Sequence, residues 1–135
     1  MHPLFAAAER LGVSVSSATL PEGTLGAYYA ASRRILIDRR LTPEEEVETL
    51  AHEIGHVVLG HRALDDPVLE ADADAFAAMV LIDPIAYERL ERMELCAHDI
   101  AEELGVTMPI LAAFVAQLRR DSAVARAAAR IRAST

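Results

Sequence analysis

Apolar residues recur along this chain with more than one period, and the changes of period mark out its elements. Across residues 43–59 the apolar positions Val47, Leu50, Ala51, Ile54, Val57 and Val58 form one stripe of a 3.6-residue helix. Thr42-Pro43-Glu44-Glu45 reads as N-cap, first-turn proline and capping-box glutamate, and Gly60 as the stop. Glu44, Glu45 and Glu46 lie at the positive end of the helix dipole. Asp66-Pro67 opens a second helix, with Leu69, Ala73, Phe76, Ala77 and Val80 as its apolar face. Upstream, residues 2–11 read as an amphipathic helix ended by Gly12, and residues 13–19 lean towards strand. After the turn signal Pro21-Glu22-Gly23, residues 25–30 and Arg34–Asp38 read as two strands joined by Ala31-Ser32-Arg33. From Pro84 onward the pattern is helical, with breaks near Cys96 and Gly105. This predicts an α+β fold, mostly helical, with a small three-stranded sheet beside the helix that starts at Pro43. One domain is expected over residues 1–135, divided into a core over 1–84 and a helical C-terminal extension over 85–135.

Composition narrows the function classes. The 53% hydrophobic content is high, but alanine-rich helices account for much of it, and no run approaches the length of a membrane span. A formal charge of −8 argues against a general nucleic-acid binder. All 13 basic residues are arginine, which points to a GC-rich coding genome rather than to a function. Cys96 is the single cysteine; it excludes an internal disulfide and reads as a buried or partly buried thiol in a reducing compartment. No signal sequence opens the chain, so the expected location is cytoplasmic, with no membrane partner.

Candidate chemistry is concentrated in His52-Glu53-Ile54-Gly55-His56. On a helix, residues four apart lie about 40° apart around the axis and about 6 Å along it, so both imidazoles can converge on one metal ion. Glu53, about 100° round from His52, stands close enough to take a proton from a water at that metal without being a ligand. Two histidines packed for structural reasons are the bland alternative, but the well-specified start of this helix favours the metal reading. Gly55 is a poor helix residue, and its presence implies close approach of another backbone.

A hydrolytic zinc site has three protein ligands and an open fourth position. Glu70 and Asp74, one turn apart beside the apolar face of the second helix, supply the remaining candidates. Glu70 is the expected third ligand, with Asp72 or His61 as substitutes, and thirteen residues between His56 and Glu70 leave room for a turn and an antiparallel partner. Asp74 is the expected carboxylate behind a ligand histidine, accepting its spare N–H and fixing its tautomer. A solvated acidic face is the alternative for Glu70, Asp72 and Asp74.

With these residues in view, residues 25–84 resemble the ImmA/IrrE family of metallopeptidases, which is gluzincin-like. The likeness rests on the Tyr28 segment, Ile35-Leu36-Ile37, the run from Thr49 to His61, and Glu70-Ala71-Asp72-Ala73-Asp74-Ala75-Phe76-Ala77-Ala78. Asp74 stands where the family often has asparagine, and Asp83-Pro84 where methionine-proline is familiar. The resemblance implies a zincin-like fold, one zinc ion per chain and endopeptidase activity. Its best-known members cut helix-turn-helix repressors of mobile elements or stress genes, so the expected partner is a DNA-binding repressor as protein substrate.

The implied mechanism places zinc on His52, His56 and Glu70, with Glu53 as the base that later returns its proton to the leaving amine. The oxyanion needs a further donor, for which Tyr28, Tyr29, His61, Tyr87 and His98 are open candidates. Tyr28-Tyr29-Ala30 belongs to a strand that could receive the substrate backbone along its edge, with one tyrosine facing the cleft and at least one packing on the sheet. Residues 100–107 resemble the turn of a helix-turn-helix, with Thr107 capping the next helix over residues 108–118. That helix is apolar apart from Gln117, which fits packing or partner docking better than DNA reading. The terminal Arg119, Arg120, Arg126, Arg130 and Arg132, set against Asp121, read as a solvated or frayed helix. Two other functions stand beside the protease: a non-cleaving partner-binding metal protein of anti-repressor or antitoxin type, and a zinc hydrolase of small molecules. The intact Glu53 argues against the first and the expected edge strand against the second.

Overall fold

The computed structural model describes residues 2–62, 66–118 and 123–134. Its first helix, α1 (Pro3–Arg10), starts where His2 Nδ1 accepts the Leu4 backbone N–H at 3.1 Å, so His2 caps the helix rather than joining it. Three strands follow: β1 (Ser14–Ala18), β2 (Gly26–Tyr29) and β3 (Arg34–Asp38). β3 is central. It pairs in parallel with β1, Val15 opposite Ile35, and antiparallel with β2, Tyr28 opposite Ile35. β2 is therefore an edge strand. Ile35 and Ile37 point from β3 into the core and are essentially inaccessible.

The predicted α+β class is what the chain adopts, with sheet ends a residue or so shorter than the apolar pattern implied. At the end of β3, Asp38 takes hydrogen bonds from the Arg40 backbone N–H at 3.0 Å and from Arg40 Nε at 2.9 Å and Nη2 at 2.5 Å. Arg40 Nη2 also donates to the Leu20 carbonyl at 2.7 Å, tying the β1–β2 connection to the end of the central strand. The Arg40 guanidinium and backbone bonds hold the Asp38 carboxyl down at about 2.

α2 (Pro43–Val58) lies across β2 and β3. Its capping box is complete: Thr42 Oγ1 accepts from Glu45 N at 3.2 Å, and Glu45 Oε1 accepts from Thr42 N at 3.0 Å. α3 (Pro67–Leu81) packs against α2, its start fixed by Asp66 Oδ1 accepting from Val68 N and Leu69 N. Gly55 answers the expectation of a close approach, but the neighbour is a side chain rather than a backbone. A Cβ there would lie 3.0 Å from Phe76 Cδ1, so glycine lets the fully buried Phe76 ring of α3 sit against α2.

Beyond Asp83, which caps α4 (Pro84–Arg92) in place of a continuous helix, come α5 (Ala97–Leu104), α6 (Met108–Gln117) and α7 (Ala123–Ser134). Tyr87, Ile100, Ala101, Leu111 and Phe114 close a second apolar cluster with Ala78 and Ile82 at the end of α3. α7 is docked rather than frayed: Ala127 and Ala128 are buried in the same cluster as Leu4, Ile35, Leu50 and Phe76, and Arg132 Nη1 donates to the Met79 carbonyl at 2.6 Å. Arg119, Arg120 and Asp121 lie outside the described residues. Cys96 precedes α5 and is exposed, correcting the expectation of a buried or partly buried thiol, because it occupies the N-cap position where the chain turns at the surface. No helix among the described residues is long and apolar enough to cross a membrane.

Candidate metal centre

α2 and α3 together assemble a tight group of donors. His52 Nε2 lies 2.8 Å from Glu70 Oε2, His56 Nε2 lies 3.1 Å from Glu70 Oε1, and the two Nε2 atoms are 3.2 Å apart. One ligand atom from each of His52, His56 and Glu70 falls within 4.8 Å of the others. Helical spacing brings the histidines together, and Gly55 with Phe76 sets the close seating of α3 that delivers Glu70.

The chemistry of this set fits a cation. His52 Nδ1–H donates to Asp74 Oδ1 at 2.8 Å, since an ionised carboxylate only accepts. In the neutral imidazole that leaves a lone pair on Nε2, aimed at another carboxylate and another imidazole nitrogen. Lone pairs converging at about 3 Å repel unless a proton or metal ion lies between them. The histidine pKa shifts report the same field. Burial pulls His52 down, but the Asp74 hydrogen bond and the charges of Glu53, Asp74 and Glu70 outweigh it, and the net shift is upward. His56 is lowered, first by burial and then by the charge of His52.

Glu53 sits beneath these groups, 5% exposed, and burial pushes its carboxyl up to about 7, with His52 opposing and Glu70 adding to the shift. β2 comes very close here. A Cβ on Gly26 would stand 2.6 Å from Thr49 Cγ2, 3.2 Å from the Leu36 carbonyl and 3.4 Å from Glu53 Cγ, so only glycine lets the edge strand lie this near Glu53. An isolated glycine inside a strand pattern is the signal that could have disclosed this approach beforehand.

The donors open into a cleft of about 580 Å³. One wall is residues 23–28 with Ala30; another is Thr107, Pro109 and Ile110 at the start of α6; Glu48, Thr49 and Arg62 also line it. The α6 wall was not foreseen. Thr107 occupies the N-cap position, but its side chain does not cap its own helix: its N–H and Oγ1–H both donate to Glu48 Oε1 on α2, at 3.0 and 2.8 Å.

Of the remaining candidates, Tyr28 and His61 line the cleft. Tyr29 does not: strand alternation turns it to the opposite face of β2, where it is 46% exposed. Tyr87 is buried against Phe114 with ring centroids 5.1 Å apart, and His98 lies exposed on α5 beside Glu102, so neither reaches the cleft. Asp72 stays outside the donor group, on a different face of α3 from Glu70 and Asp74. His61 does not join the donors either; its Nδ1 lies 3.0 Å from His56 Nδ1.

A peptidase family model, described as the IrrE N-terminal-like domain, matches residues 8–134. The chain belongs to this family. No curated protein and no solved structure matches it significantly. As a metallopeptidase family, the IrrE-like group implies a metal, and the His52, His56 and Glu70 cluster is where this member could hold one. The match also runs through α7, so the family pattern takes in the helices that wall the cleft and back α3.

Proposed function

We propose that this protein is a zinc-dependent endopeptidase that makes a specific cut in a regulatory polypeptide, in particular a helix-turn-helix repressor. The observation that carries the reading is the convergence of His52, His56 and Glu70 at the foot of a cleft walled by a free strand edge. Two imidazoles and one carboxylate are the donor set that leaves an open coordination position for hydrolysis.

Zinc held there supplies a Lewis acid and lowers the pKa of water towards neutrality. The protein contributes the rest. Asp74 fixes the His52 tautomer so that Nε2 faces inward. Glu53 is held next to the donors in a poorly solvated setting, with a proton affinity near neutral pH suited to taking a proton and returning it to the leaving amine. The substrate backbone has a docking rail. Asp38 N–H donates to the Leu25 carbonyl, so the strand register turns the N–H and C=O of Leu25, Ala27 and Tyr29 towards β3. Those of Gly26 and Tyr28 face the free edge, spaced to receive an extended peptide. A small amide has no use for such a rail, which favours a polypeptide.

The test is intact-mass analysis of the helix-turn-helix regulator encoded nearest this gene, incubated with zinc-loaded protein or with its Glu53→Gln variant. A single discrete cut made only by the wild type supports the proposal. Co-elution of an uncut regulator with both forms overturns it in favour of sequestration.

A further inference from the structure

α2 ends in a turn that has a second use. Leu59 is the C-cap, Gly60 follows with φ of 72°, and two backbone bonds close the turn: Gly60 N–H to the Val57 carbonyl at 3.2 Å and His61 N–H to the His56 carbonyl at 2.9 Å. This pair of bonds is a Schellman motif, which brings the second residue past the cap against the residue three positions before it. That contact is commonly hydrophobic. Here the two positions are His61 and His56, and the same backbone geometry sets their Nδ1 atoms 3.0 Å apart.

We propose that His61 is a positioning residue for metal binding: it accepts the Nδ1–H of His56 and so holds the His56 Nε2 lone pair on the metal. The inference rests on the metal-site reading above and deepens it. Two ring nitrogens at this separation share one proton, so one donates and the other accepts. His56 Nε2 points at His52 Nε2 and Glu70, and its lone pair is the one a metal takes. The His56 proton therefore sits on Nδ1, and His61 Nδ1 is the acceptor. His61 is then neutral, with its own proton on Nε2.

Each ligand histidine thus has its own orienting acceptor: a carboxylate from α3 for His52 and an imidazole from the helix-stop turn for His56. The second adds no negative charge where Glu53, Glu70 and Asp74 already crowd. His61 lines the cleft, where solvent can take its Nε2–H.

Zinc affinity, measured by competition with a chromophoric chelator, tests this without any substrate. His61→Ala should weaken zinc binding by about 10- to 100-fold, as loss of such partners does elsewhere. His61→Asn, whose amide oxygen can stand where Nδ1 stood, should recover most of that loss. Nitrogen-15 spectra of the zinc-loaded protein with labelled histidine should show His56 protonated on Nδ1, His61 protonated on Nε2, and scalar coupling between the two Nδ1 atoms. His61→Ala binding zinc as tightly as a wild type that does take up zinc overturns the role of His61 alone, as does a His61 proton found on Nδ1. A wild type that takes up no zinc overturns the metal site itself, and this inference with it.

Discussion

Asp38 and Glu53 are both 5% exposed, yet the protein treats the two carboxylates in opposite ways. Asp38 closes the end of β3 with Arg40 donating to it three times, and its pKa falls to about 2. Glu53 receives no such donor among the described residues; burial dominates, and its pKa rises to about 7. Equal accessibility therefore says nothing about charge state until the depth of burial and the donors are known: Asp38 lies close under the surface, Glu53 deep among other groups. One carboxylate is pinned in its ionised form as a staple. The other is left uncompensated within reach of the donor cluster, where a proton can come and go.

The largest expected effect lies at the uncompensated end of this contrast. Glu53→Gln should keep zinc and lower kcat/KM on a cleaved substrate by about 10²- to 10⁴-fold, the range of a lost general base, whereas Asp38→Asn should leave turnover at neutral pH near wild type. Comparable activities in the two variants would erase the distinction. A second contrast concerns carboxylates on α3. Glu70→Ala should weaken zinc affinity by more than the roughly 100-fold typical of losing an outer partner, and Asp72→Ala should leave it nearly unchanged, as read by chelator competition.

A third effect appears in stability. The folded-state pKa of Glu53 is raised from 4.5 to about 7, so in the metal-free protein its ionisation opposes folding above pH 7 and the penalty fades as the pH falls through 4.5. Glu53→Gln should therefore stabilise the metal-free protein at pH 8 by on the order of 2–3 kcal/mol, a gain that chemical denaturation should find gone at pH 4. The smallest effect has the opposite sign. With its pKa lowered from 3.8 to about 2, Asp38 stabilises the fold fully above pH 3.8 and loses that contribution as the pH falls through 2. Asp38→Asn should melt earlier than wild type at pH 7, and the two melting curves should converge near pH 2.

Much of this was readable in advance because it depends on local rules. The capping box at Thr42, the Asp66 cap and the converging pair of histidines follow from helix geometry within a few residues. The α+β class follows from the change of period. What escaped depends on elements distant in sequence. Alternation marks β1 and β3 as strands but says nothing of their pairing in parallel, with β2 on the far side. Nothing near Thr107 announces that Glu48, 59 residues earlier, would take both its donors. Alanine-rich α7 looked solvated because alanine carries little hydrophobic signal, yet Ala127 and Ala128 fit against the core because they are small.

The bond between Glu48 and Thr107 also bears on how small this molecule could be made. Glu48 lies one turn before His52 on α2, and the helix it anchors supplies Pro109 and Ile110 to the cleft. A miniature cut from α2 and α3 alone would retain every candidate donor for the ion. It would lack both the β2 edge and the α6 residues that line the cleft, so an engineer would obtain a metal-binding hairpin with little means of choosing what enters it.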